Sequence, residues 1–191
     1  VIFDEAQMLP LPHLKPCVAA MASLAEQFRS TVVLCTATQP SLDDLMKDFA
    51  PKHPVTELCP RTVRLQESFR RVTFRKAGVL GDDMLAQELQ EHSQVLCIVN
   101  SRKAAQRIFE RLPQEGSFHL STLMIPVQRQ KILEEIRERL KAGLPCRVVS
   151  TSLIEAGVDV DFPAVYREMA GLDSILQAAG RCNREGKRSA D

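Results

Sequence analysis

The chain reads as α/β: two parallel-sheet units joined by an extended connector, with the first unit truncated at its N-terminus. Three observations carry that reading. Short apolar runs alternate with longer amphipathic stretches along the whole length, the pattern of strands linked by crossover helices. The runs are compact and mostly apolar, as in Val32-Val33-Leu34-Cys35 and Val95–Val99, which is how strands covered on both faces are written. Between the two series lies a proline-rich, basic stretch from about residue 51 to residue 80 with no helical period.

In chain order, Val1, Ile2 and Phe3 read as the end of a buried parallel strand, too short to be its whole length. Pro10, Pro12 and Pro16 interrupt a connection into a helix through roughly Cys17–Phe28. Val32–Cys35 is the second strand and runs into Thr36-Ala37-Thr38, after which a short helix is expected near Leu42–Phe49. Pro51, Pro54 and Pro60 then break the pattern, and a boundary falls near Gly78–Gly81. The organisation is therefore 1–60 for the first unit, 61–80 for the connector and 81–191 for the second.

The second half repeats the scheme more fully. Asp82 or Asp83 suits the cap of a helix to about His92. Val95–Val99 predicts a strand, Arg102–Leu112 a helix and Phe118–Leu120 a short strand. Val127–Lys141 predicts a long helix with Ile132, Ile136 and Leu140 on one stripe, ended by Gly143. Arg147–Ser150 and Ala164–Tyr166 are strands, and Ser174–Asn183 is the last helix.

Composition narrows the function class. The 191 residues allow one large domain or two small ones. No stretch approaches the roughly 18 apolar residues of a membrane span, so no membrane partner is expected. The N-terminus has no basic region ahead of an apolar core. Six cysteines, at 17, 35, 59, 97, 146 and 182, form no C-x-x-C pair and no finger-like spacing with histidine. They read as buried thiols in a reducing compartment, so a cytoplasmic location is expected; the chain is also expected to be a monomer. The net charge of +1 gives no global basic field. Locally, residues 61–76 carry Arg61, Arg64, Arg70, Arg71, Arg75 and Lys76 against Glu67, either a solvated surface or one wall of a phosphate-backbone groove.

Four blocks carry chemistry. Asp4 and Glu5 follow an apolar strand, where open α/β sheets place ligands; in nucleoside-triphosphate enzymes the first carboxylate of such a pair holds Mg²⁺ and the second orients or deprotonates water. Thr36 and Thr38 end the next strand and offer hydroxyls to those carboxylates, or cap a helix before Pro40. Ser150-Thr151-Ser152 leads through Gly157 to Asp159: hydroxyls and backbone amides for a nucleic-acid phosphate, with an acid for a ribose hydroxyl or an arginine of the last helix, or else a capped turn. Gln177, Arg181 and Arg184 stand four and three residues apart, on one face of the expected helix. An amide and two guanidiniums there suit phosphate oxygens and the charge of a transferred phosphoryl group; the plain alternative is a solvated basic face. A phosphate loop, G-x-x-x-x-G-K-S/T, is absent from this sequence.

D-E-A-Q, T-A-T, S-T-x-x-x-E-A-G-V-D and Q-x-x-G-R-x-x-R, in this order, resemble motifs II, III, V and VI of the superfamily 2 helicases, which are DEAD/DEAH-box-like. The flanks VIFDEAQMLP, VVLCTATQP, IEAGVDVDFPAVYRE and GLDSILQAAGRCNREG resemble the helicase part of the CRISPR-associated helicase–nuclease of type I interference systems. Val99-Asn100-Ser101-Arg102 resembles motif IV, and His119-Leu120-Ser121-Thr122 the strand after it.

The resemblance implies two RecA-like domains, the first truncated, with ATP in the cleft between them. By it, Asp4 holds Mg²⁺, Glu5 activates water, Gln7 senses the γ-phosphate, and Thr36 and Thr38 couple hydrolysis to DNA. Gln177, Arg181 and Arg184 close on the triphosphate, with Gly157 and Asp159 beside the nucleotide. Asn100, Ser101, Arg102, Ser121, Thr122, Ser150 and Thr151 line the single-stranded DNA path. The implied function is an ATP-dependent single-stranded DNA translocase in antiviral defence, with a guide-RNA surveillance complex of type I CRISPR systems as partner. Departures accompany it. Without motif I the chain is expected to be inactive alone; His13, His53, His92 and His119 each lack a following Asp, so the nuclease pair has no counterpart; and Asn183 stands where many helicases have glycine. The alternatives are a non-catalytic nucleic-acid or partner-binding module, and a general superfamily 2 helicase with no CRISPR role.

Overall fold

A computed structural model describes residues 1–36, 55–58, 70–155 and 157–188. The chain divides into two units, Val1–Leu65 and Gln66–Asp191.

In the first unit, β1 (Ile2–Phe3) pairs in parallel with β2 (Val33–Leu34), Ile2 opposite Val33 and Phe3 opposite Leu34. Cys35 donates its amide to the Phe3 carbonyl at 2.8 Å, and Ala6 returns one to the Cys35 carbonyl at 3.0 Å. The pairing is the parallel one expected, but the strand is not buried: Val1 is 55% exposed and Ile2 70%. Among the described residues, β1 has a sheet neighbour on one side only. The helix α1 spans Leu14–Glu26 and begins earlier than the prolines suggest, because Pro16 falls in the first turn, where the missing amide has no helical partner to lose. Val18, Met21 and Ala22 make its buried stripe. Two short 3₁₀ turns, Ala6–Met8 and Leu11–His13, occupy what sequence suggested was an irregular connection. The helix expected near Leu42–Phe49, together with Thr38, Arg61 and Arg64, lies outside the described residues.

The second unit is a four-stranded parallel sheet ordered β4-β5-β3-β6: β3 (Gln94–Ile98), β4 (Ser117–Leu120), β5 (Cys146–Ser150) and β6 (Val165–Arg167). Its helices are α2 (Asp82–Glu91), α3 (Arg102–Phe109), α4 (Pro126–Ala142) and α5 (Leu172–Ala179). Every residue of β3 is buried. Leu96 and Ile98 face a cluster with Leu120, Leu133, Ile136, Ile154, Phe162 and Ala178, while Val95, Cys97 and Val99 face a second with Leu89, Ala105 and Ile108. A strand coated on both faces needs no polar alternation, which is why its sequence is an apolar run from Val95 onward, after the buried Gln94.

The helix ends follow local chemistry. Gly143 closes α4 at φ +70°, a left-handed cap that glycine adopts without steric cost. Neither Asp82 nor Asp83 caps α2; Gly81 takes the cap position, and the two acids lie in the first turn, paired with Arg107 of α3 and with Arg111 just beyond its end, each at 2.6 Å. The largest departure concerns α5, which stops at Ala179 rather than continuing to Asn183. Phe162 donates its amide to the Arg181 carbonyl and accepts from the Asn183 amide, both at 2.9 Å. Those bonds pull residues 181–183 into a bridge between Phe162 and Cys182 and out of the helix.

Candidate functional site

In the first unit the acidic pair sits where β1 runs out. Asp4 and Glu5 are exposed, and Glu5 has φ +53°, uncommon for a residue with a side chain. The following residue, Ala6, is buried and tied to β2 through Cys35, so the turn that presents the carboxylates is anchored to the sheet. Asp4 Oδ1 accepts the Glu5 amide at 3.0 Å. Gln7 donates from Nε2 to Glu5 Oε2 and accepts at Oε1 from the Thr36 hydroxyl. The hydroxyl bond expected to reach a carboxylate directly runs instead through the Gln7 amide, which has the donor and the acceptor that such a relay needs.

Two exposed carboxylates with hard oxygen donors fit a Mg²⁺ ion, which binds through one or two acids and keeps much of its water. Among the described residues no group of three or more His, Cys, Asp or Glu could form an all-protein cage.

In the second unit the carboxyl ends of β3, β4 and β5 gather most of the expected nucleic-acid residues along one sheet edge. Ser101 caps α3 by accepting the Ala104 amide at 3.1 Å, while Arg102 and Thr122 are exposed. Ser121 is buried, and Ser150 donates its hydroxyl to the Thr151 carbonyl at 2.9 Å. Thr151 is 7% exposed, and its hydroxyl has no hydrogen-bond partner among the described residues. Asn100 is committed within the protein: its amide donates to Glu168 Oε2 at 2.6 Å, its Nδ2 to the Met169 carbonyl at 2.9 Å, and its Oδ1 accepts from Arg167 at 2.7 Å.

Arg167 is the residue the sequence reading missed. Its Nε lies 2.8 Å from Glu155 Oε1, with side-chain exposures of 9% and 5%. The approach is off the line of a hydrogen bond, but the separation is that of a close ion pair. Through Arg167 the loop after β5 is joined to the loop after β3. The signal was available: an arginine and an acid directly after the apolar run of β6.

Gln177, Arg181 and Arg184 do not share a helix face, because α5 ends before the two arginines. Gln177 is half-buried on α5. Arg181 is buried, donating from Nε to the Ile154 carbonyl at 3.1 Å and from its terminal nitrogen to the Glu155 carbonyl. Arg184 is exposed, its Nε 3.1 Å from Asp159 Oδ1, with Asp159 80% exposed. Both arginines thus converge on the turn between β5 and β6, which also carries Gly157 at φ +69°. Asp159, read from sequence as a partner for a ribose hydroxyl or an arginine of the last helix, pairs here with Arg184, which lies just past that helix.

Known proteins resolve the ancestry. A family model for the CRISPR-associated nuclease/helicase Cas3, C-terminal, matches residues 91–187, half of the chain. The chain belongs to the Cas3 family. A Cas3 nuclease/helicase of Haloferax volcanii is 50% identical over 56 residues, covering 29% of this chain and 6% of the relative. The Cas3 helicase of Thermoproteus tenax is 26% identical over 190 residues, covering 99% of this chain and 31% of that protein. The chain therefore spans less than a third of the length of these Cas3 relatives.

The fold has the same kinship. T. fusca Cas3 with ATP superposes with a TM-score of 0.69 at 20% identity, over 96% of this chain and 27% of that one. A chain of a CRISPR RNA-guided surveillance complex, pre-nicking, gives 0.67 at 19% identity, over 100% and 29%. These likenesses establish an α/β, RecA-like helicase fold.

Proposed function

We propose that this Cas3-family chain is part of an ATP-dependent single-stranded DNA translocase acting in type I CRISPR interference. Residues 1–60 supply the end of a first RecA-like domain, 61–80 a connector and 81–191 a second domain. Asp4 holds Mg²⁺, which when bound neutralises phosphate charge. Glu5 takes the proton of the attacking water, and Gln7 reports on the γ-phosphate. Thr36, with Thr38, couples that event to DNA.

The single observation that carries the reading is the Thr36–Gln7–Glu5 hydrogen-bond chain. It ties the exposed carboxylate at the end of one strand to a hydroxyl at the end of its parallel neighbour. A binding module has no need of such a link, whereas an enzyme that transmits the state of a bound nucleotide does.

From the second unit, Arg184 leaves its solvent-exposed carboxylate partner for the phosphates, where an arginine neutralises the charge of transfer. Gln177 lies on the helix before it, and Gly157 and Asp159 flank the nucleotide. Arg181 acts by fixing the 154–155 backbone, since reaching the triphosphate would break two buried hydrogen bonds. Asn100, Ser101, Arg102, Ser121, Thr122, Ser150 and Thr151 follow the DNA strand. The Thr151 hydroxyl has hydrogen-bonding capacity to spare, and the Asn100 side chain shapes the loop more than it grips.

ATP as cofactor is consistent with the ATP-bound state of T. fusca Cas3, and a guide-RNA surveillance complex as partner with the pre-nicking assembly. The test is ATP hydrolysis, with and without single-stranded DNA, by this chain and by a version extended upstream through a phosphate loop. DNA-stimulated turnover in the extended protein, lowered about 100-fold or more by Arg184→Ala, is expected. Near-normal turnover in that variant would remove Arg184 from the chemistry. DNA binding with no turnover in either wild-type form would favour the binding module.

A further inference from the structure

An arginine that must reach a phosphate can move its side chain only if its backbone stays put. The main chain around Arg184 is held from both sides. Its amide donates to Asp161 Oδ1 at 2.7 Å, and its carbonyl accepts from the guanidinium of Arg71. Arg71 belongs to the basic stretch that the sequence offered as a wall for DNA phosphates, and here its charge is directed to a peptide carbonyl.

The residue before Arg184 completes the arrangement. Asn183 is 3% exposed and has φ +45°, a left-handed conformation that glycine and asparagine tolerate best. Glycine would meet the backbone demand alone. Asparagine adds three hydrogen bonds: Nδ2 donates to the Arg71 carbonyl at 2.9 Å and to the Arg188 carbonyl at 2.8 Å, and Oδ1 accepts the Arg188 amide at 3.0 Å. Gly186, in the turn beyond, has φ +63°, and a Cβ there would lie 3.4 Å from Arg71 Cδ, an ordinary van der Waals contact.

We propose that Asn183 and Arg71 form a clasp that positions Arg184, fastening the arginine-bearing turn to the chain at residue 71. The catalytic part of this claim rests on the role given to Arg184 above. The side chain of Arg184 stays solvent-exposed on Asp159 while its peptide groups are pinned. What distinguishes the clasp from ordinary packing is its reciprocity, since each residue bonds to the main chain of the other's segment.

Hydrogen exchange on this chain tests the clasp without any activity, in wild type, Asn183→Gly and Arg71→Met. Glycine keeps the backbone unstrained and deletes only the side-chain bonds. Both variants should speed exchange of the Arg184, Gly186 and Arg188 amides by roughly fivefold to tenfold, leaving the β3 and β5 amides unchanged. Continued protection of those three amides in Arg71→Met would overturn the clasp. In an extended protein that hydrolyses ATP, Asn183→Gly should lower kcat about tenfold with KM for ATP and DNA unchanged. A variant with wild-type kcat would overturn positioning. A wild-type protein without turnover would instead defeat the proposed function, leaving the clasp to be judged by exchange.

Discussion

In the first unit, β1 and β2 are two residues long and share one edge. In the second, β3 runs five residues with a strand on either side and a buried cluster on each face. Among the described residues, the proposed hydrolytic carboxylates therefore follow a two-stranded ledge, while the arginines lie in a turn bridged to Phe162 of the second unit's core. The difference teaches where each chemistry tolerates change. The acidic pair depends on a few backbone bonds and one amide relay, whereas the arginine turn is braced by a core that extends well beyond it.

The largest effects are expected in the cores. Phe162→Ala should cost about 3–5 kcal/mol, because Phe162 is fully buried against the second-unit cluster. Ile2→Ala, at 70% exposure, should change stability by less than about 0.5 kcal/mol. Urea denaturation of both variants checks this, and equal losses would erase the distinction between the units.

Next comes the ion pair inside the second unit. Arg167→Met strands the Glu155 carboxylate at 5% exposure, a change expected to cost about 3 kcal/mol. Adding Glu155→Gln should recover much of it. Asp159→Asn, which removes an exposed partner of Arg184, should stay within about 0.5 kcal/mol. A large effect of Asp159→Asn on thermal stability would mean the Arg184 pair is structural rather than poised to open.

The smallest perturbation is thiol labelling. Burial pushes the Cys97 and Cys146 thiols up to about 12, so at pH 8 only about one in 10⁴ is thiolate. Cys35, exposed at the end of β2, should react with iodoacetamide before either of them. Mass spectrometry of a time course reads the order, and early modification of Cys97 would show that the second sheet opens as readily as the first.

Much of the second unit was legible in the sequence because its central strand, β3, is buried on both faces and leaves an apolar run from Val95. Gly143 was legible for a local reason, the left-handed cap. The end of α5 was not. Residues 180–184 keep a helix-compatible spacing of polar side chains, and only the backbone of Phe162, distant in sequence, draws them away. The same event moved Arg181 from a supposed phosphate grip to the carbonyls of Ile154 and Glu155. Likewise, the Thr36–Gln7–Glu5 order required knowing that Ala6 is tied to Cys35, a pairing between strands that no local pattern encodes.

The strand order has a consequence for the timing of assembly. During synthesis β3 is the first strand of its sheet to emerge, yet its partners arrive only with residues 146–150 and 165–167. Both contacts close long loops, which slows folding relative to hairpin-built sheets. Until then, the stretch Val95–Val99 is an uncharged, β-branched edge open on two sides, the form of nascent chain that most invites aggregation. The feature that makes the finished sheet robust thus leaves its first strand without partners until β5 follows.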